Sequence, residues 1–139
     1  DERLKAMAWF ELGRDFRRGG FLDRAAHAFD QARGLMGDKP AIMHEMAMLA
    51  LDSGEFERAA ELFRALGLQR AQAHCLVRRA QELVGEGNTA ATNKFLRQAV
   101  RIFPGCVEGW RLQAVLACQG KDLSQLRTAL EGGRASLTR

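Results

Sequence analysis

The feature that most constrains this chain is a recurrence. Gly20, Ala25 and Phe29 return as Gly54, Ala59 and Phe63, each 34 positions later. A further step of 33 carries Gly54 to Gly87. A fixed period of this length marks one supersecondary unit copied along the chain, each copy too small to bury its own apolar face without a neighbour. The residues between the glycines say which unit it is. Alanine, leucine, arginine, glutamate and glutamine dominate, all of them better suited to helix than to strand, while β-branched residues are sparse. The copied unit is therefore a pair of helices joined by a glycine turn.

Trp9, Leu12, Gly13, Phe16, Gly20, Ala25, Phe29 and Ala32 follow the tetratricopeptide-repeat (TPR) pattern W-x2-L-G-x2-Y … A-x3-F, with Phe16 in the tyrosine position. The third unit shows Ala80, Gly87, Leu96, Ala99 and Pro104. Trp110 and Ala114 open a fourth, degenerate unit, in which Gly120 falls one residue early and Gln125 or Leu126 replaces the usual alanine. The expected fold is all-α: a TPR-like right-handed α-solenoid of about four helix–turn–helix repeats, near 6–39, 40–73, 73–106 and 107–134, in a single domain over 1–139. Helices are predicted at 3–18, 22–35, 40–52, 55–66, 70–85, 89–103, 106–119 and 122–133. Asp38 ahead of Pro40 reads as an N-cap, as does Asn88 or Thr89 for the sixth helix. Gly132–Gly133 is expected to end the last helix and leave 134–139 frayed. Gly13, Ala25, Ala47, Ala59, Ala80 and Ala114 mark the closest helix approaches. Trp9, Leu12, Phe16, Phe29, Phe63, Leu96 and Trp110 are expected to fill the space between units. Gly20, Gly54, Gly87 and Gly120 are expected to supply a left-handed residue after each first helix.

Composition narrows the function classes. The net charge of +4 accommodates an acidic partner but does not demand one, and acids are mixed among the bases rather than excluded from a stripe, so the chain does not read as a nucleic-acid binder. Three cysteines, Cys75, Cys106 and Cys118, form no CxxC pair; each sits among apolar helical residues and reads as a small buried hydrophobe in a reducing compartment. No run approaches the ~18 apolar residues of a membrane span. His27, His44 and His74 are scattered, with no HExxH, zinc-finger, GxGxxG or phosphate-loop spacing. Glu55 and Glu57 sit at a helix start, where carboxylates favour the dipole. No catalytic residue, metal ligand or cofactor site emerges, and the chain reads as a non-enzyme.

What remains is surface. In a stack of this kind the first helices line a concave groove, and projecting that register inward selects Met7, Phe10, Arg14, Arg17 and Arg18; then Ala41, His44, Met48, Leu51 and Asp52; then His74, Val77, Gln81 and Val84; and Glu108, Arg111 and Val115. Arginine forks suit carboxylates, and Met and Phe offer adaptable apolar contact, so the groove suits a protein segment with acidic and apolar anchors. The competing account makes Arg14, Arg17 and Arg18 a solvated helix end that offsets the dipole.

Three strings carry a more specific resemblance. LGRDFRRGGFLDRAAHAFDQA (12–32), AHCLVRRAQELVGE (73–86) and FPGCV (103–107) occur in the order of similar strings in lipopolysaccharide assembly protein B, the LapB or YciM family, with Arg78-Arg79 departing from that family's usual pair. The resemblance implies an adaptor without enzyme activity, facing the cytoplasm from the inner membrane of Gram-negative bacteria and presenting the deacetylase LpxC to the protease FtsH. The family's N-terminal membrane helix and C-terminal paired-CxxC metal ribbon have no counterpart here. The chain is accordingly expected to be a fragment holding the middle repeats, or a relative that lost both ends, with self-association through its unfinished ends open to it. Against this LapB-like adaptor stand a generic TPR scaffold or secretion chaperone, and the non-catalytic repeat region of a larger enzyme.

Overall fold

A computed structural model describes residues 1–138. Among them it contains eight α-helices and no strand: α1 (Glu2–Arg18), α2 (Leu22–Met36), α3 (Pro40–Asp52), α4 (Phe56–Ala65), α5 (Gln69–Gly85), α6 (Thr89–Ile102), α7 (Val107–Gln119) and α8 (Leu123–Ser136). The chain divides into two compact units, Asp1–Gly67 and Leu68–Arg139. Within each, successive helices pack in order: α1 on α2, α2 on α3 and α3 on α4 in the first; α5 on α6, α6 on α7 and α7 on α8 in the second.

The turns after α1, α3, α5 and α7 share one hydrogen-bond scheme. Gly20 N donates to Arg17 O and Phe21 N to Phe16 O; Gly54 and Glu55, then Gly87 and Asn88, repeat the pair of bonds at the same offsets. This is the Schellman arrangement, which satisfies two orphan carbonyls and requires a residue at positive φ. The glycines supply it at φ +81, +74 and +75. The fourth turn corrects the expectation for Gly120, which stays right-handed at φ −83. Lys121 takes the left-handed position at φ +56, donating to Cys118 O while Asp122 N reaches Ala117 O. The four turns are thus spaced by 34, 33 and 34 residues.

The first unit closes over Ala25, Phe29, Ala32, Ile42, Met46 and Leu49, with Trp9, Phe10, Phe16, Leu22, Met36 and Leu62 packed around them. A Cβ placed on Gly13 would lie 2.6 Å from the Phe29 ring, so the absence of a side chain in α1 is what seats the aromatic of α2. In the second unit Ala73, Ala80, Leu96 and Ala99 are fully buried, with Leu76, Val77 and Leu83 nearly so. Thr92 is also fully buried, its hydroxyl donating to Asn88 O at 2.8 Å.

Several local expectations are corrected. Leu12 is 40% exposed rather than interior. Ala114 is only half-buried; Gly109 and Ala117 are the buried small residues of α7. Pro40 occupies the first turn of α3 and holds Lys39 extended at φ −71, ψ 138, so the cap falls on Lys39; Asp38 lies one residue too far out and instead accepts from Arg33 Nε at 2.5 Å. Asn88 does cap α6, accepting from Ala91 N at 3.1 Å. The last helix runs through Gly132–Gly133 to Ser136. Two helical glycines cost about 2 kcal/mol relative to alanine, but a Cβ on Gly132 would meet the Trp110 ring at 2.5 Å. Trp110 therefore lies flat within its own helix pair instead of between units, its indole N–H donating to Pro104 O at 2.9 Å.

Two comparisons test this account by urea denaturation. Gly34 in α2 has open space where a Cβ would go, so Gly34→Ala is expected to stabilise the chain by about 0.5–1 kcal/mol. Gly132→Ala gains the same helix propensity but overpacks against Trp110, a strain of about 1–3 kcal/mol, and is expected to lower stability. Equal behaviour of the two would remove the packing role of Gly132. Lys121→Gly relieves a left-handed lysine and should raise stability by about 0.5–1 kcal/mol, provided the turn keeps its hydrogen bonds.

Candidate interaction surface

Met7, Phe10, Arg14 and Arg17 are spaced by three and four along α1, which puts them on one helical stripe. Glu45, Met48 and Asp52 form the corresponding stripe on α3. The two helices touch, and an alternating row of charges joins them. Arg14 Nε lies 3.5 Å from Glu45, Arg17 Nε lies 3.2 Å from the other oxygen of Glu45, and Arg17 Nη1 lies 3.2 Å from Asp52. Glu45 is only 14% exposed and spans two guanidiniums, a shared geometry that fixes one side chain for two contacts. The Arg14 guanidinium also lies over the Phe10 ring, 5.8 Å from its centroid, and Phe10 tilts against Phe29 at 6.1 Å. The charged row is thereby anchored to the core.

The packing gives the arginines partners that neither account named. Arg14 and Arg17 are neither a free cationic patch nor a merely solvated helix end; they spend their donor forks on carboxylates of this same chain. Arg18 is exposed and pairs with Asp15 in its own helix at 3.2 Å. Glu45 is the residue the sequence projection passed over. Its signal was available in the seven-residue spacing of Glu45 and Asp52 beside the three-residue spacing of Arg14 and Arg17, but acids and bases on different helices reveal their pairing only once those helices are side by side.

The apolar part of the stripe is Met7, 51% exposed, with half-buried Phe10 and Met48. His44 turns toward α4, its ring edge-on to Phe63 at a centroid distance of 6.0 Å, and stays exposed. Ala41 and Asp52 are exposed and Leu51 is half-buried. In the second unit His74, Gln81 and Val84 are exposed on α5, whereas Val77 is 3% exposed and belongs to the core, a correction to its groove assignment. Arg111 is exposed, with Nε and Nη2 both on Glu108 at 3.2 and 2.7 Å, so these two predicted groove residues satisfy each other; Val115 is exposed on the same helix. A shallow hollow of about 160 Å³ lined by Asn93, Arg97, Gln113, Ser124, Gln125 and Thr128 opens among α6, α7 and α8.

The cysteines differ from one another. Cys75 is fully buried, and burial pushes its thiol up to about 11. Burial also raises the half-buried Cys106 thiol. Cys118 is exposed, which corrects the expectation that all three are interior. Among the described residues no three His, Cys, Asp or Glu side chains converge as metal ligands, and no helix is long and apolar enough to cross a membrane. No protein-family model matches the chain, and no curated protein matches it.

Replacing Glu45 by Gln keeps the shape but removes the charge between two guanidiniums. The expected cost is about 1 kcal/mol at low salt, in the range of a partly exposed ion-pair network rather than a buried pair, and it should shrink in 1 M NaCl as the charges are screened. A loss independent of salt would assign Glu45 a packing role instead. For the thiols, iodoacetamide at neutral pH should label Cys118 first and spare Cys75 until denaturant is added. The raised Cys75 thiol contributes stability that is fully present below pH 9, the usual thiol value, and is lost as pH rises toward about 11. The Cys75→Ala chain should lack that part of the alkaline decline in urea titrations at pH 8 and pH 10.5.

Proposed function

We propose that this chain is a non-catalytic helical-repeat scaffold of the TPR type that binds another protein on the α1/α3 face. The observation that carries the reading is the combination on that face of adaptable apolar side chains, Met7, Phe10 and Met48, with a charge row that is already neutralised internally. A surface of this kind presents apolar anchors in a fixed frame: the Arg14–Glu45–Arg17–Asp52 row sets the spacing of α1 and α3, and the exposed thioether of Met7 is left for a partner. The acidic anchor expected of the ligand loses weight, because Arg14, Arg17 and Arg18 each already meet a carboxylate of this chain; the apolar anchor gains it. The 34, 33 and 34 spacing of the four Schellman turns supports the TPR form of the proposal.

The LapB-like form, a regulator of lipopolysaccharide synthesis that works in the bacterial cytoplasm and recognises LpxC, rests on the three ordered strings at 12–32, 73–86 and 103–107. It is tested by titrating purified LpxC into the chain in a calorimeter. Saturable binding is expected, reduced at least tenfold by Met7→Asp combined with Met48→Asp, with helicity by circular dichroism unchanged. An unmodified chain that gives no heat with LpxC removes the LapB-like form. Binding that ignores both methionine substitutions moves the site off the α1/α3 face.

A further inference from the structure

Leu123 and Leu130 of α8 and Leu137, the residue that caps its C-terminus, face solvent at a strict seven-residue interval. Leu123 is 77% exposed, Leu130 56% and Leu137 74%, and Leu123 and Leu137 are the most exposed of the chain's large hydrophobic residues. At 100° per residue they share an arc with Arg127 and Arg134 about 80° wide, and the stripe runs about 21 Å along the helix. The opposite side of α8 carries buried Ala129 and Ser136 and the Gly132 that receives Trp110. The leucines are therefore not strays from the core side; they occupy the face turned away from α7. Neither Arg127 nor Arg134 has an ion-pair partner among the described residues, in contrast to Arg14, Arg17, Arg18 and Arg111.

We infer that this face of α8 docks an amphipathic helix whose apolar seam is flanked by carboxylates. A row of leucines every second turn is the seam that one helix offers another, each leucine entering between side chains of the partner. The exposed row is narrow, with only half-buried Leu126 beside it, which suits a helix and falls short of the broad apolar face by which a helix settles into a lipid surface. Charge selects the partner. Arg127 and Arg134 run along one edge of the leucine row, and Glu131, the one acidic residue of α8, lies beyond them. A second copy of this chain is disfavoured by the same charges. In a parallel pairing of two α8 helices each arginine faces itself; in an antiparallel pairing centred on Leu130, Arg127 of one copy falls beside Arg134 of the other. A partner with glutamates at these positions turns both repulsions into charge-assisted hydrogen bonds. This surface lies on α8 and is independent of the α1/α3 site.

The test uses two synthetic 21-residue helices with the same leucine heptads, one flanked by glutamates and one by lysines, each labelled for fluorescence anisotropy with the full chain. The glutamate-flanked peptide is expected to bind at least tenfold more tightly. Leu130→Ser should weaken it about tenfold, and the double substitution Arg127→Glu with Arg134→Glu should reverse the preference toward the lysine-flanked peptide. These are solvent-facing positions, and thermal melts of each variant verify that the fold is retained. Equal affinity for the two peptides, or a preference that survives the double charge reversal, overturns the inference. Sedimentation velocity showing a dimer that Leu130→Ser dissolves would assign the face to a second copy and overturn it as well. So would co-sedimentation with phosphatidylglycerol vesicles that Leu130→Ser abolishes while neither peptide binds.

Discussion

The seating of a large ring against a glycine is the interaction on which the first and last helix pairs depend. In the first pair α1 supplies Gly13 and α2 supplies Phe29; in the last, α7 supplies Trp110 and α8 supplies Gly132. The polarity is exchanged but the constraint is the same. Two helices approach most closely where one of them carries little or no side chain, and a ring that fills the gap buries a large apolar area. Phe29 then does more than close its own pair. It lies among Ile42, Met46 and Leu49 of α3, so the ring that joins α1 to α2 also carries the second pair.

That seating explains why the α1/α3 face is ordered enough to be a recognition surface. Phe10 leans on Phe29, Arg14 lies over Phe10, and Glu45 reaches Arg14 and Arg17. Each step limits the freedom of the next side chain, so the charged row begins in the core and ends at Asp52 on the surface. An isolated surface ion pair contributes little because two long side chains must be ordered to make it. Here the core has already restricted one of them.

The two surfaces proposed for binding differ in how their charge is disposed. On α1 and α3 the arginines are consumed internally and the apolar residues are left for a partner. On α8 the guanidiniums of Arg127 and Arg134 have no ion-pair partner among the described residues and stand beside three exposed leucines. The first arrangement tolerates many apolar ligands; the second discriminates by charge, because a wrong partner leaves like charges opposed.

Much of the local structure was legible in the residues alone. Every helix was placed within a residue or two at its start, since glycine turns, Asn88 and Pro40 act through backbone geometry that their neighbours cannot override. The left-handed turns at Gly20, Gly54 and Gly87 follow from the same cause. The fourth turn escaped, because its signal was sought in Gly120 while the hydrogen-bonding scheme selected Lys121, and the end of α8 escaped because two glycines look like a terminus until Trp110 is laid on them. Side-chain partnership was decided only by the tertiary structure. Whether an arginine is free depends on which acid another helix brings within 4 Å, and whether a leucine is core or surface depends on which side of its helix meets a neighbour; neither quantity is defined until the helices are packed.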